Sequence, residues 1–242
     1  MALRKWEDLP PEMQANEVRD YYEILCGKKT SLFLKRIFDM AASLLLLILL
    51  SPFFLILAVA IKVDSPGPVF FRQTRITQYG KPFRIFKFRT MIVDAEKNGT
   101  HVTKNHDTRI TKVGNVIRKC RIDEIPQLFN VFCGQMSFVG TRPEVPQYVQ
   151  EYTSEMLATL LLPAGVTSTA SICYKDEARF LTEAENADEI YITRILPEKM
   201  EYNLRDIQKF SLRRDLSIML KTVLTVLGRD YREELKNEVA VK

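Results

Sequence analysis

The chain is short of the residues that build metal and disulfide sites. Its 242 residues include two histidines, His101 and His106, and four cysteines, Cys26, Cys120, Cys133 and Cys173, with no Cys-x-x-Cys pair. That set argues against a zinc module or a disulfide framework and reads as reduced thiols acting as small apolar side chains. Repeats and low-complexity tracts are lacking too, which excludes a solenoid or a tail-like chain. The charged, mixed first residues do not follow the order of a cleavable signal peptide, so the apolar run that begins near Met40 is expected to be retained. No strong excess of one charge exists either: 35 Lys and Arg stand against 30 Asp and Glu, a net +5. Such a mild excess suits anionic lipid, nucleic acid or phosphorylated substrates without choosing among them.

What the chain does have is one long apolar stretch. From Met40 to Ile61 the only breaks are Ser43, Ser51 and Pro52. As a single helix it would measure about 33 Å, enough to cross a hydrocarbon core. Both flanks are basic, however: Lys28, Lys29, Lys35 and Arg36 precede it, and Lys62, Arg72 and Arg75 follow. A single crossing favours basic residues on one side only. Pro52 lacks an N–H and presses on the carbonyl of Ile48, so a kink is expected there, with Ser51 able to bond back to a freed carbonyl. Each half is about 16 Å long, half a bilayer. The expectation is a re-entrant helix over 31–62, broken at Ser51-Pro52, with a kinked crossing as the competing arrangement.

Beyond Lys62 the pattern changes. Ser65-Pro66-Gly67-Pro68 reads as a tight turn, and Val69–Gln73 and Phe83–Arg89 read as a hairpin around Tyr79-Gly80-Lys81. Arg84, Lys87 and Arg89 alternate with Phe83, Phe86 and Phe88. That alternation fits a nucleic-acid surface, a headgroup layer or a phosphate pocket, and the neighbouring apolar run argues against nucleic acid. Helical patterns occupy Thr111–Cys120, Pro126–Cys133 (stopped by Gly134), Pro143–Leu162 and Pro197–Leu227, and Pro11–Leu25 reads as an amphipathic helix. The polar region Ala170–Ala187 has no clear pattern. Ser217–Gly228 is apolar on one face, for the core or for a membrane surface. The fold class is mixed α/β: the membrane helix, then a mostly helical cytoplasmic domain with a small sheet and interfacial amphipathic helices. Its segments are an extension (1–30), the membrane element (31–62), the main folded domain, where the candidate chemistry lies (63–228), and a charged tail (229–242).

The chemistry centres on Ile117–Asn130. Asp123 and Glu124 adjoin, with Arg118, Lys119 and Arg121 upstream and Pro126 at a good first helical position. A helix N-terminus suits carboxylates and phosphates alike. Two such acids can divide the roles of nucleophile and ligand for a hard cation such as Mg2+, while nearby arginines neutralise a diphosphate. The plain alternative is an N-terminal capping pair. Arg142, in a Gly-rich loop, is a second potential phosphate clamp or an ordinary loop arginine.

Lys35–Asp39, Ser51-Pro52, Ser65–Arg75, Gly80–Met91, Asp107–Lys119, Asp123–Val131 and Met136–Glu144 occur in order and together closely resemble the bacterial sugar transferase family, the monotopic phosphoglycosyl transferases, in their small catalytic-core form. The resemblance implies transfer of a sugar 1-phosphate from a UDP-sugar to undecaprenyl phosphate, with release of UMP, at the cytoplasmic face of the bacterial inner membrane. This would initiate exopolysaccharide, capsule, O-antigen or glycoprotein glycan assembly. It implies Asp123 as nucleophile on the β-phosphorus, Glu124 as partner to Mg2+ or to the second attack, and Arg118 and Arg142 as phosphate holders. Lys87 and Arg89 are assigned to the same pocket, and Lys35, Arg36, Ser51 and Pro52 to the headgroup anchor and helix break. Anionic lipid and a homodimer complete the expected partners. Departures from the family pattern are Thr141 before Arg142, Thr77 in place of a frequent glycine, and Pro163-Ala164-Gly165-Val166-Thr167-Ser168 in place of Pro-Gly-Ile-Thr-Gly, which bears on donor choice. A nucleotide-sugar hydrolase and a non-catalytic adaptor bound to anionic lipid are the competing functions.

Overall fold

The computed structural model describes residues 3–93, 109–176 and 187–240. His101, His106, the first two residues of the Asp107–Lys119 motif and residues 177–186 of the polar region lie outside them.

The N-terminal helix is shorter than its pattern suggested. A 3-10 turn at Pro11–Met13 precedes α1 (Asn16–Cys26), because the Gln14 amide turns back to the Leu9 carbonyl at 2.8 Å and closes the turn. Val18, Tyr21 and Leu25 of α1 share one core with Leu161, Ile207 and Phe210. The N-terminal segment from Leu3 to Cys26 is therefore packed into the body of the protein.

Helix α2 (Lys29–Asp64) spans 36 residues and continues through Ser51-Pro52 without interruption. This corrects the expected helix–break–helix. Pro52 deprives the Ile48 carbonyl of its N–H partner, and the Ser51 hydroxyl supplies a replacement at 2.8 Å. Among the described residues it is the one helix long and apolar enough to cross a membrane. Its buried positions are Leu32, Lys35, Asp39 and Ser43 before the proline and Leu57 and Ile61 after it. The first group lies against the body of the domain; Leu57 and Ile61 pack with Phe88 and Ile117. The Asp64 carboxylate accepts from the Val113 N–H at 2.8 Å. Both ends of α2 are thus fastened to the same domain, while Leu45, Ile48, Leu49, Leu55, Ile56 and Val59 stand exposed.

The expected hairpin forms: β1 (Phe70–Ile76) pairs antiparallel with β2 (Pro82–Phe88). Its turn uses left-handed backbone at Tyr79 and Gly80. Helix α3 (Lys112–Lys119) is capped by Thr111, whose hydroxyl accepts from the Gly114 N–H at 3.0 Å. A 3-10 turn, Ile122–Glu124, leads into α4 (Gln127–Phe132), and Gly134 ends it with φ 80° as expected.

A second sheet was not anticipated. Strand β3 (Met136–Val139) pairs in parallel with β4 (Ala164–Thr167), joining Met136 to Ala164 and Val139 to Thr167. A side chain on Gly165 would come within 2.2 Å of the Gly140 backbone, so this close pairing requires glycine. The parallel crossover between these strands replaces the helix expected over Pro143–Leu162. Only α5 (Pro146–Val149) and a 3-10 turn (Met156–Leu161) are helical there. Pro143 and Pro146 withdraw N–H donors, and Pro163 holds Leu162 extended.

Helix α6 (Thr169–Cys173) follows β4, and α7 (Ala187–Ile190) runs through a π-turn (Tyr191–Ile195) into α8 (Leu196–Gln208). The helix expected over Pro197–Leu227 is divided. Buried Phe210 ends the first part, and Ser211 caps α9 (Leu212–Val226) by accepting from the Arg214 N–H at 3.2 Å. Helix α10 (Arg232–Ala240) is the last described element. The central core joins β2, α4, β3, α6 and Ile218 of α9, and the exposed side of α9 carries Leu216, Leu220, Val223 and Val226.

Candidate active site

Asp123 and Glu124 sit in the 3-10 turn just ahead of α4, as the sequence suggested. The turn is set by Arg121, whose φ of 54° reverses the chain after α3. Lys87 reaches Glu124 from β2, its ammonium donating to Oε1 at 2.8 Å. Arg142 arrives from the loop after β3 and donates to both oxygens of Glu124, to Oε2 at 3.2 Å. Burial alone would raise the Glu124 carboxyl. The charges and hydrogen bonds of Arg142 and Lys87 outweigh it and hold the group well below the usual carboxylate range. Burial in turn pulls Lys87 below an ordinary lysine, with Glu124 opposing that shift.

Asp123 is in the opposite state. Burial, then the adjacent Glu124 charge, push its carboxyl above the ordinary aspartate value, and Lys87 and Arg118 offset part of this. Among the described residues no side chain hydrogen-bonds to its carboxylate. Glu124 is a clamped carboxylate, and Asp123 is an unclamped, more basic one. The Arg118 Nε donates to the Thr90 hydroxyl at 2.9 Å, and its charge acts on Asp123. Asp123, Glu124, Lys87, Arg118 and Arg142 are therefore brought together.

Arg89 is not. Its guanidinium is buried behind the hairpin and donates to the carbonyls of Ser65 and Pro66, both at 2.7 Å, where it closes the turn after α2. Lys35 and Arg36 depart equally from the anchor role expected of them. Lys35 is 3% exposed and joins Asp215 at 2.5 Å and the Val139 carbonyl at 3.0 Å. Arg36 binds the carbonyls of Val131 at 2.7 Å and Phe132 at 2.8 Å, the C-terminal end of α4. Asp39, which sequence reasoning passed over, accepts from the Ser137 hydroxyl at 2.7 Å. These side chains fasten α2 to the sheet and α4. Ser51 and Pro52 lie on the exposed side of the helix.

No three His, Cys, Asp or Glu residues stand together as a metal cluster among the described residues. Mg2+ is commonly held by one or two carboxylates, with substrate phosphates and water completing its shell. Asp123 and Glu124 fit that demand, since among the described residues Glu124 Oε2 accepts one bond, at 3.2 Å.

Beside the acid pair runs a groove of about 460 Å³. One wall is apolar, formed by Leu46 and Leu50 of α2 with Met219, Val223 and Val226 of α9. The other carries Arg121, Glu124, Arg142 and Lys175. Sequence reasoning missed Lys175, which lies in the region without a pattern, and missed the groove, whose walls come from distant segments.

The site is thus a cationic pocket around two unequal carboxylates, bordered by an apolar wall that includes Leu46 and Leu50 of the lipid-length helix. Residues 30–229 match the model of the bacterial sugar transferase family, and the chain belongs to that family. A UDP-N-acetylgalactosamine-undecaprenyl-phosphate N-acetylgalactosaminephosphotransferase of Aeromonas hydrophila is 39% identical over 198 residues, covering 81% of this chain and 44% of that protein. A UDP-glucose:undecaprenyl-phosphate glucose-1-phosphate transferase of Klebsiella pneumoniae is 38% identical over 194 residues, 78% of this chain and 39% of that protein. One of the same description from Caulobacter vibrioides is 38% identical over 199 residues, 81% of this chain and 70% of that protein. The chain thus spans less than half the length of the first two relatives.

Proposed function

We propose that this protein transfers a sugar 1-phosphate from a UDP-sugar to undecaprenyl phosphate through a covalent intermediate on Asp123. The observation that carries the proposal is the inequality of the two acids beside an amphipathic groove. In the first step an Asp123 oxygen attacks the β-phosphorus, the bond to the bridging oxygen breaks, and UMP leaves with that oxygen. In the second step a phosphate oxygen of the lipid attacks the same phosphorus, which frees the carboxylate and yields a sugar-diphospho-lipid. The raised basicity of Asp123 favours the first attack. Lys87, Arg118 and Arg142 supply positive charge where the leaving phosphate gains negative charge. Mg2+ held by Asp123 and Glu124 would supply further neutralisation of the diphosphate.

The membrane placement belongs to the same proposal. A crossing helix parts its two ends by about 30 Å, on opposite sides of the bilayer. Here the segments around Lys35 and Asp39 and around Leu57, Ile61 and Asp64 hold one domain between them. A helix that keeps its helical backbone but bends at Pro52 within the cytoplasmic leaflet, exposing Leu45, Ile48, Leu49, Leu55 and Ile56 to lipid, accommodates both attachments. The polar domain then stays at the inner surface of a bacterial cytoplasmic membrane, where the product would begin a surface glycan.

The test uses purified full chain, Mg2+ and a panel of UDP-sugars, followed by intact-mass spectrometry. One donor should add the mass of its sugar phosphate, and Asp123→Asn should abolish both the adduct and UMP release. Turnover retained in that variant would refute the covalent route. UMP release at full rate without lipid phosphate would instead identify a hydrolase.

A further inference from the structure

Apart from Arg142, which both bonds to Glu124 and lines the groove, the cations around the acid pair fall into two sets, and only one is explained by the donor. Lys87 and Arg118 act on Asp123 and Glu124 but do not line the groove. Arg121 and Lys175 line the groove without bonding to either acid. We propose that Arg121 and Lys175 form the seat for the acceptor's phosphate, a lipid monophosphate whose chain lies along the apolar wall. The proposal rests on the transferase reading and adds a division of labour to it, with donor phosphates on the Lys87–Arg118 side and acceptor phosphate on the groove side.

Three observations carry it. Residues 121 and 175 are held together although far apart in sequence, because the Arg121 guanidinium donates to the Lys175 carbonyl. Arg121 adopts left-handed backbone, an uncommon conformation for a residue other than glycine, two positions before Asp123. The Lys175 ammonium makes no hydrogen bond or ion pair among the described residues. Asp230 senses its charge, but that carboxylate is engaged by Arg232 at 2.5 and 2.9 Å. The groove wall itself lacks a polar partner. Gln127 lines it, is 2% exposed, and its Nε2 has no hydrogen-bond partner among the described residues, a donor that a ligand oxygen would satisfy.

Charge complementarity selects the occupant. Two cations next to Arg142 suit a phosphate, and Leu46, Leu50, Met219 and Val223 suit a hydrocarbon chain rather than a base or a sugar. Leu46 and Leu50 neighbour the exposed Leu45 and Leu49, so a chain could pass from the lipid-facing side of α2 into the groove.

The experiment compares wild type with Arg121→Asn, which tolerates left-handed backbone, with Lys175→Gln and with the double variant. Binding of undecaprenyl phosphate and of undecaprenol to the full chain is measured in nanodiscs, together with adduct formation from the UDP-sugar and the acceptor KM. Undecaprenyl phosphate should bind about tenfold or more weakly to the double variant, with a matching rise in acceptor KM, while undecaprenol binding and donor adduct formation persist. An unchanged acceptor KM overturns the proposal. So does equal competition by phosphatidylglycerol, which would make the seat a general anionic-lipid site. Wild type that forms no adduct but binds undecaprenyl phosphate through these two residues would refute the transferase reading and leave the seat standing.

Discussion

Glu124 and Glu144 lie close enough to Arg142 for its charge to lower both carboxyls, yet their surroundings give them different work. Glu124 opens on the groove, with its side chain 23% exposed and bonded by Lys87 and Arg142. Glu144 is 6% exposed and closed over by the π-turn and α8. It accepts from the Tyr191 hydroxyl at 2.6 Å and from the Lys199 ammonium at 3.4 Å, and Lys199 also donates to Tyr191 at 2.9 Å. Arg75 of β1 adds charge and holds the Pro143 carbonyl at 3.1 Å. The closed pair fastens the chain two residues beyond Arg142, and in the proposed reaction the open pair would exchange a carboxylate for a substrate phosphate. The same chemistry serves as a fastener where it is sealed and, in the proposed reaction, as a binding device where it meets solvent.

Breaking the closed pair should give the largest change in stability. Lys199→Met leaves Glu144 buried without its ammonium and should cost about 3–5 kcal/mol, read from the denaturant midpoint. Burial raises the Glu144 carboxyl, but Lys199, Tyr191 and Arg75 bring it below the ordinary value of 4.5. Its contribution is therefore complete above that value and is lost as pH falls through the lowered folded pKa, so the variant should lose this acid-sensitive component. A stability equal to wild type would break the comparison.

Glu124→Gln should do the reverse, leaving stability within about 1 kcal/mol while slowing transfer by roughly 100–1,000-fold. Sugar-phosphate transfer and thermal unfolding on one preparation separate the two effects. The variant also sharpens the reading of Asp123. Adduct formation in wild type should fall as pH drops through a value above that of ordinary aspartate, because the carboxylate form attacks. Removing the Glu124 charge should move that acid limb to lower pH, since this charge is one of the causes raising Asp123. A limb that does not move would detach Asp123 from the rate. The smallest effect is expected from Tyr191→Phe, about 1–2 kcal/mol of stability, because the lost hydroxyl donates to Glu144 and accepts from Lys199.

Much of the site was legible because it is local. Asp123, Glu124, Pro126 and Gly134 mark a turn, a helix and its end within a dozen residues, and the Tyr79-Gly80 hairpin was legible for the same reason. The roles of Lys35, Arg36 and Arg89 were not. A basic residue beside an apolar run looks the same whether it meets a headgroup or a carbonyl, and all three meet carbonyls. The β3–β4 pairing was hidden because its strands are joined by a long crossover whose prolines resemble helix starts. Ser51-Pro52 was read with the right bond, from hydroxyl to Ile48, and with too large a consequence for the helix.

The sequence by itself determined the apolar length of α2, the acid pair ahead of α4 and the supply of cations around it, since these depend on composition and neighbours a few residues apart. Tertiary structure alone decided which cations meet which carboxylate, and which acid stays unclamped. It also decided that an apolar wall from α2 and α9 faces a charged one. Burial and Coulomb interactions depend on distance in space, and the partners here come from segments up to 180 residues apart, where periodicity and spacing carry no information.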